Sequence, residues 1–389
     1  MLPYLIDLLY PWLRAHGMGA FRVFQSAPFR AMLCIPMAFI LCMLFGPRFI
    51  GWLVRQKIGD NPNFDEATLN DMMASKKNTP TMGGVLIIAS VVGSVLVLAD
   101  LRNFYVLMAL VCVLYLGALG AMDDWLKLTK QRRAGNTDRQ GLRSIEKLIF
   151  QLGLGVLLGI FTFLHGKDVP QNHTLYFPFF KDLGVPLGMT AFVILSTIVL
   201  TGTSNAVNLT DGLDGLAAGC MSIVSFTFFI LAVIVGTETI EIADKPAAAG
   251  LLLPHVTGAE EMAVIAAALA GACMGFLWFN CFPAKVFMGD TGSLALGGLI
   301  GYIAIVVRQE LMLFLVGGVF VMEAVSVLVQ VSWFKYTKRR YGEGRRVLLM
   351  APLHHHFQKK GWPEAKVVVR FWLITAMMAA MALATVKLR

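Results

Sequence analysis

Five polar clusters interrupt a sequence that is otherwise apolar. Asp123-Asp124 closes a long apolar run and is followed by Trp125-Leu126-Lys127. Two adjacent carboxylates repel each other, and a cation or a shared proton relieves them. A single acidic residue would be an ordinary solvated helix end; a pair after such a run points to ion chemistry. Asn205, Asn208, Asp211 and Asp214 recur every third residue, with Gly212 and Gly215 between them. On a helix that spacing predicts one broad polar face, a binding wall with room for a ligand at the glycines. The alternative is a capped turn, which favours the same residue types.

Asn280 opens the third cluster, which runs through Pro283, Lys285 and Phe287 to Gly289-Asp290-Thr291-Gly292-Ser293. An isolated acid between small residues suits Mg²⁺, which takes one or two carboxylates plus substrate phosphates. Asp290 or Ser293 capping the next helix is the competing reading. His354-His355-His356 follow Pro352-Leu353 in the longest basic loop. Read as extended chain, His354 and His356 share a face and His355 opposes them. Imidazole binds metals when neutral and phosphate when charged. Lys76-Lys77 leads into Thr79-Pro80-Thr81-Met82-Gly83-Gly84, as a topological anchor or a phosphate-binding lysine. The run from Lys335 to Arg346 reads as headgroup contact.

The elements that must carry these clusters are membrane spans. Of 389 residues, 57% are hydrophobic and 15% charged, with a mean hydropathy of +0.70. That charge cannot cover a soluble surface, which excludes a soluble globular enzyme, a disordered chain and a secreted disulfide scaffold. The six cysteines lie in or beside apolar runs without a CxxC pair, which argues against disulfides and zinc. Ten spans of about 20 residues are expected. They fall at roughly 30–53, 81–99, 104–122, 147–165, 185–203, 214–235, 262–280, 293–308, 310–334 and 368–387, the eighth and ninth parted by the Arg308–Glu310 corner. The first eleven residues make a poor signal peptide and read as an interfacial lead-in. One set of alternate loops holds 21 Lys+Arg and the opposite set, termini included, holds 10. Basic loops stay inside, so both termini are expected in the periplasm. The fold class is therefore all-α: one polytopic domain over 1–389. All five polar clusters fall in the cytoplasmic set.

The net charge of +9 needs no nucleic-acid partner, since no such motif is present and anionic headgroups or phosphorylated substrates account for it. Carboxylates, a divalent ion, lysines and histidines at one membrane face fit phosphoryl transfer on the bilayer.

The segments KKNTPTMGG (76–84), DDWLK (123–127), NAVNLTDGLDGLA (205–217), FNCFPAKVFMGDTGSLALGG (279–298) and APLHHHF (351–357) resemble, in this order, the polyprenyl-phosphate N-acetylhexosamine-1-phosphate transferases. APLHHHF favours the muramoyl-pentapeptide branch over the N-acetylglucosamine branch. The resemblance implies transfer of a phospho-sugar from UDP-N-acetylmuramoyl-pentapeptide to undecaprenyl phosphate in the bacterial inner membrane, with Mg²⁺. It implies Asp290 as the Mg²⁺ acid, Asp123 as the acid that deprotonates or positions the lipid phosphate, and Asp124 as its pair. It implies a nucleotide-sugar wall of Asn208, Asp211 and Asp214, with Asp214, Gly215 and Phe287 near uridine. Lys76, Asn280 and Gln330 match ligand-contacting positions. His354 matches a catalytic histidine, and His355 and His356 fall with it on the diphosphate or sugar. A homodimer and direct attack, rather than an aspartyl intermediate, are the expected assembly and route. A transporter would place ionisable groups at mid-membrane, often in repeats, and neither is visible. A scaffold would need no ordered acids.

Overall fold

The computed structural model describes residues 1–56, 79–133, 141–180, 183–237, 241–242, 245–246, 248 and 253–387. The chain begins with α1 (Leu2–Ala15), opened by Pro3 where a missing N–H costs nothing. Its terminal amine donates to the carbonyls of Leu96 and Ala99 at 3.0 and 2.8 Å, and Asp7 pairs with Arg102 at 2.8 Å. A 3-10 turn then leads into α2 (Ala27–Arg55). There follow α3 (Gly84–Leu98), α4 (Phe104–Arg133) and α5 (Ser144–Gly166). A short antiparallel hairpin, Thr174–Tyr176 with Gly184–Pro186, precedes α6 (Met189–Thr210) and α7 (Leu216–Gly236). The chain ends with α8 (Glu260–Asn280), α9 (Gly289–Val306), α10 (Glu310–Val316), α11 (Gly318–Tyr341), α12 (Leu353–Lys359) and α13 (Glu364–Lys387).

Among the described residues, nine helices are long and apolar enough to cross a membrane, and α3 is a shorter apolar helix of 15 residues. Nine of the ten expected spans each fall on a single helix and the ninth is divided between two, and the all-α polytopic architecture stands.

The two inner helices are α8 and α9, and small residues bring their neighbours close. A Cβ on Gly271 would strike the Ile35 carbonyl of α2, and one on Gly84 would strike the Gly292 backbone. Without a hydrophobic drive between helices in lipid, such close backbone packing supplies the attraction. Far from the polar clusters, Arg30 and Glu261 form a buried pair. Glu261 Oε2 accepts from Arg30 Nη1 and from the Asp100 N–H at 3.0 Å each, and Oε1 from Arg30 Nη2, so each oxygen it buries is answered.

Several boundaries differ from expectation in ways that matter for the site. α4 runs on past residue 122 and carries Asp123-Asp124 and Lys127 on its last turns. Trp, Leu and Lys continue a helix readily, and nothing there breaks it. α5 begins at Ser144, so Lys147 sits on its first turn. The expected ninth span is two helices, α10 and α11, parted at Gly317-Gly318. Glycine is a weak helix former, and a Cβ on Gly318 would strike Met378. α11 then extends to Tyr341, where basic residues suit the helix C-terminus and Gly342, at φ +80°, ends it.

Candidate active site

Three carboxylates and two ammonium groups meet where α4, α5 and α9 converge. Asp123 is fully buried. Its Oδ1 accepts from the Leu142 N–H at 2.6 Å, and its Oδ2 lies 2.8 Å from Lys127 Nζ and 3.2 Å from Lys147 Nζ. Asp290 Oδ2 takes the other side of the same lysines, at 3.1 Å from Lys127 and 2.9 Å from Lys147. Lys127 stands one turn after Asp123 on α4, so the helix itself makes that pair. Gly141, at φ +89°, lets the chain fold over the cluster; a Cβ there would lie 2.6 Å from Asp123 Oδ1.

Asp124 has a different place. Its Oδ1 accepts from the Asp290 N–H at 3.2 Å, and its Oδ2 from the Thr291 N–H at 3.0 Å and the Thr291 hydroxyl at 2.7 Å. It caps α9 from another helix. The expectation that Asp290 or Ser293 caps this helix is therefore corrected. Asp290 lies in the first turn, and Ser293 Oγ donates back to the Gly289 carbonyl at 3.0 Å. A carboxylate at a helix N-terminus also meets the positive end of the helix dipole. Gly120 on α4 permits the contact, since a Cβ there would strike the Asp290 carbonyl.

The 205–215 segment is not one helical face. α6 ends at Thr210, Asp211 closes it, and 211–215 is a turn ending at Gly215, φ +80°. Asn and Asp with glycines prefer the turn to further helix, which is why the three-residue phase breaks. Asn205 points away from the cluster, its amide donating to Gln151 and to the Thr201 carbonyl at 2.8 Å each. Asn208 is half-buried on the last turn of α6. Asp211 is half-buried in the turn, where burial and then repulsion from Asp290, Asp124 and Asp214 push its pKa up to about 8. The turn is fixed from three sides. Asp214 Oδ2 accepts from the Ala284 N–H at 3.0 Å, and the Asp214 N–H donates to Glu364 at 2.8 Å. Asn280 joins the turn to 286, accepting from the Gly215 N–H at 3.0 Å and donating to the Val286 carbonyl at 2.9 Å. Buried and engaged at both ends, Asn280 shapes the pocket wall from behind. Half-buried Phe287 lies on the strand-like segment that pairs with Pro80 and Gly83, at 2.8 Å each.

The histidines lie on a short helix, α12, so the extended reading of 354–356 is also corrected. Their side chains fan out at about 100° per residue instead of alternating. His354 is buried with its backbone N–H 3.2 Å from Glu323 Oε1 and its Nδ1 3.1 Å from Oε2. A Cβ on Gly212 would strike its Nε2, so this ring abuts the 211–215 turn. His355 lies beside it with its ring tilted by 60° and the ring centroids 4.2 Å apart, and pairs with Gln358 at 2.8 Å. His356 Nδ1 accepts from the Leu349 N–H at 3.1 Å, and burial, then the Lys360 charge, lower its pKa. Gln330 braces the same loop, accepting from Val347 and Leu348 N–H groups and donating to the Leu348 carbonyl at 3.1 Å. Lys76 lies outside the described residues.

Asp123, Asp124, Asp290, Asp211, Asp214 and His354 are thus gathered in one region. Lys147, Glu323 and Glu364 join them without having been singled out in the sequence. A glutamate inside an apolar run was the available signal for Glu323. Lys147 is a basic residue at a span end, a type and place that carry no such signal.

The family model described as glycosyl transferase family 4 matches residues 106–308, from α4 through α9. The phospho-N-acetylmuramoyl-pentapeptide-transferase signature 1 matches residues 76–88. With more than half its length matched and the signature leading into α3, the chain belongs to glycosyl transferase family 4 and, within it, to the phospho-N-acetylmuramoyl-pentapeptide transferases, the phospho-sugar transferases of the lipid I step.

Proposed function

We propose that the site joins UDP-N-acetylmuramoyl-pentapeptide to undecaprenyl phosphate at the cytoplasmic face of the bacterial inner membrane. An oxygen of the lipid phosphate attacks the β-phosphorus of the donor. The new P–O bond forms as the bond to the UMP oxygen breaks, leaving undecaprenyl-diphospho-N-acetylmuramoyl-pentapeptide. One direct displacement accounts for the products. The observation that carries the reading is the sharing of Lys127 and Lys147 between Asp123 and Asp290.

Asp123 works from behind. Both of its oxygens are engaged and it is fully buried, so it holds the two lysines in place. The lysines are partly exposed and present their charge to the acceptor phosphate. Two anionic substrates must meet here, and fixed cations lower that repulsion. The turn at 211–215 with Phe287 forms the nucleotide-sugar wall, and His354 reaches the phosphates from α12.

The donor set fits Mg²⁺. Asp290 supplies a hard oxygen, and even without Asp211 the carboxylates of Asp123, Asp124, Asp214 and Asp290 outnumber the ammonium groups of Lys127 and Lys147. Asp290 would hold the ion, which when bound neutralises charge on the diphosphate and on the departing UMP.

The test is UMP release and lipid-product formation by purified protein with undecaprenyl phosphate, with and without Mg²⁺. UDP-N-acetylmuramoyl-pentapeptide should support turnover and UDP-N-acetylglucosamine should not. Preference for the latter donor, or UMP without a lipid-linked product, overturns the reading.

A further inference from the structure

Glu323 sits within the apolar helix α11, its carboxylate fully buried. A charge in that position is costly unless partners offset the lost hydration. Among the described residues, its carboxylate contacts are both on His354. One oxygen takes the His354 backbone N–H at 3.2 Å, and the other lies 3.1 Å from ring Nδ1. The backbone bond ties the peptide to the carboxylate, and the close approach of Oε2 sets the ring beside it.

Among the described residues neither ring nitrogen has a partner in hydrogen-bond geometry: Nδ1 is in close contact with Glu323 Oε2, and the far nitrogen, Nε2, is buried and faces the turn at Gly212. Any side chain at 212 would close the space it looks into. The other ionisable groups around the ring are His355 on its own helix, Asp211 and Asp214 on the turn, and Glu364 of α13, which reaches the Asp214 N–H. Glu323, by contrast, bonds the backbone N–H of His354 and lies against its ring Nδ1.

We propose that Glu323 is the positioning residue of His354, making Nδ1 the donor to its own carboxylate and leaving Nε2 as the atom that meets the donor's phosphates. This rests on the function proposed above. An imidazole has two nitrogens, and the partner of one decides what the other offers. Glu323 touches no substrate; it acts through the ring.

The experiment is a double-mutant cycle on UMP release with Glu323→Gln, His354→Ala and the pair. Gln keeps the shape, but an amide offers one acceptor where the carboxylate offers two. Glu323→Gln should lower kcat about 10–100-fold, as removal of a histidine's orienting partner does. The KM for the UDP-sugar should move less than about threefold, and the pair should be no slower than His354→Ala alone. Additive losses, or a Glu323→Gln enzyme at wild-type rate, overturn the proposal. A His354→Ala enzyme at wild-type rate would instead sink the role given to His354 in the proposed function. Melting curves of all three variants separate misfolding from lost chemistry. Should Glu323→Gln fail to fold, ¹⁵N-histidine spectra of the wild-type enzyme, with His354 assigned by difference from His354→Ala, still decide. Nδ1 must carry a proton, and an unprotonated Nδ1 overturns the proposal.

Discussion

Lys147 shows how much a single residue can be asked to do here. It bridges Asp123 and Asp290 from the first turn of α5, at 3.2 and 2.9 Å. Replacing it with methionine keeps the stem and removes the charge. Two carboxylates then face Lys127 alone, and the acceptor phosphate of the proposed reaction would lose one of two cations. We expect Lys147→Met to lower kcat tenfold or more, a barrier increase of about 1.4 kcal/mol or greater, read as UMP release at saturating donor. Asp211 gives a second prediction, on pH. Its pKa in the folded protein is about 8, against roughly 3.9 for a free aspartate. Between those values the folded state holds a proton that the unfolded state does not. Stability therefore falls as pH rises through that window, and the loss is complete above the folded value. Asp211→Asn has no such proton. Without divalent cations, the melting temperature of wild type minus that of Asp211→Asn should fall by a few degrees between about pH 6 and pH 9. A difference that stays flat with pH would show that Asp211 is already ionised at neutral pH.

Between helices, the site depends on how closely α4 approaches α9. Asp124 caps the first turn of α9, the turn that carries Asp290. Loss of a cap costs about 0.5–2 kcal/mol, and here it also frees Asp290, the acid proposed to hold the metal. Asp124→Ala should melt a few degrees lower and lose turnover together, whereas a purely chemical role for Asp124 would leave the melting temperature unchanged. The apolar runs made the spans legible, because about 20 such residues have little else to do than cross lipid. The clustering of Asp123, Asp290, Asp214 and His354 was also legible, since all lay in one set of loops. Helix ends were not. Lys127 and Lys147 face each other because α4 overruns and α5 starts early, and propensity alone could not show either extension. The trans cap by Asp124 was hidden for the same reason, as it joins residues 166 positions apart. The break at Gly317-Gly318 was written in the sequence but masked by continuous hydrophobicity.

Across the whole molecule the charge is +9, yet the innermost site is acidic. Five aspartates gather around two lysines, while the long basic run from Lys335 to Arg346 stays on the outside of the bundle. Long-range attraction can thus draw anionic substrates toward the membrane face, but it cannot by itself seat a diphosphate among carboxylates. A divalent ion, as proposed above, would resolve this opposition, with Asp290 as the acid to take it. Chelation should abolish turnover, and restored Mg²⁺ should recover it. Binding to the folded state alone raises stability by RT ln(1 + [L]/Kd), about 1.4 kcal/mol at ten times Kd. The melting temperature of wild type should therefore climb with added Mg²⁺, and that of Asp290→Asn should stay level while the variant inserts normally and loses Mg²⁺-dependent turnover. If the two proteins gave the same Mg²⁺ titration, the ion would sit elsewhere, and the excess of carboxylates would need another partner.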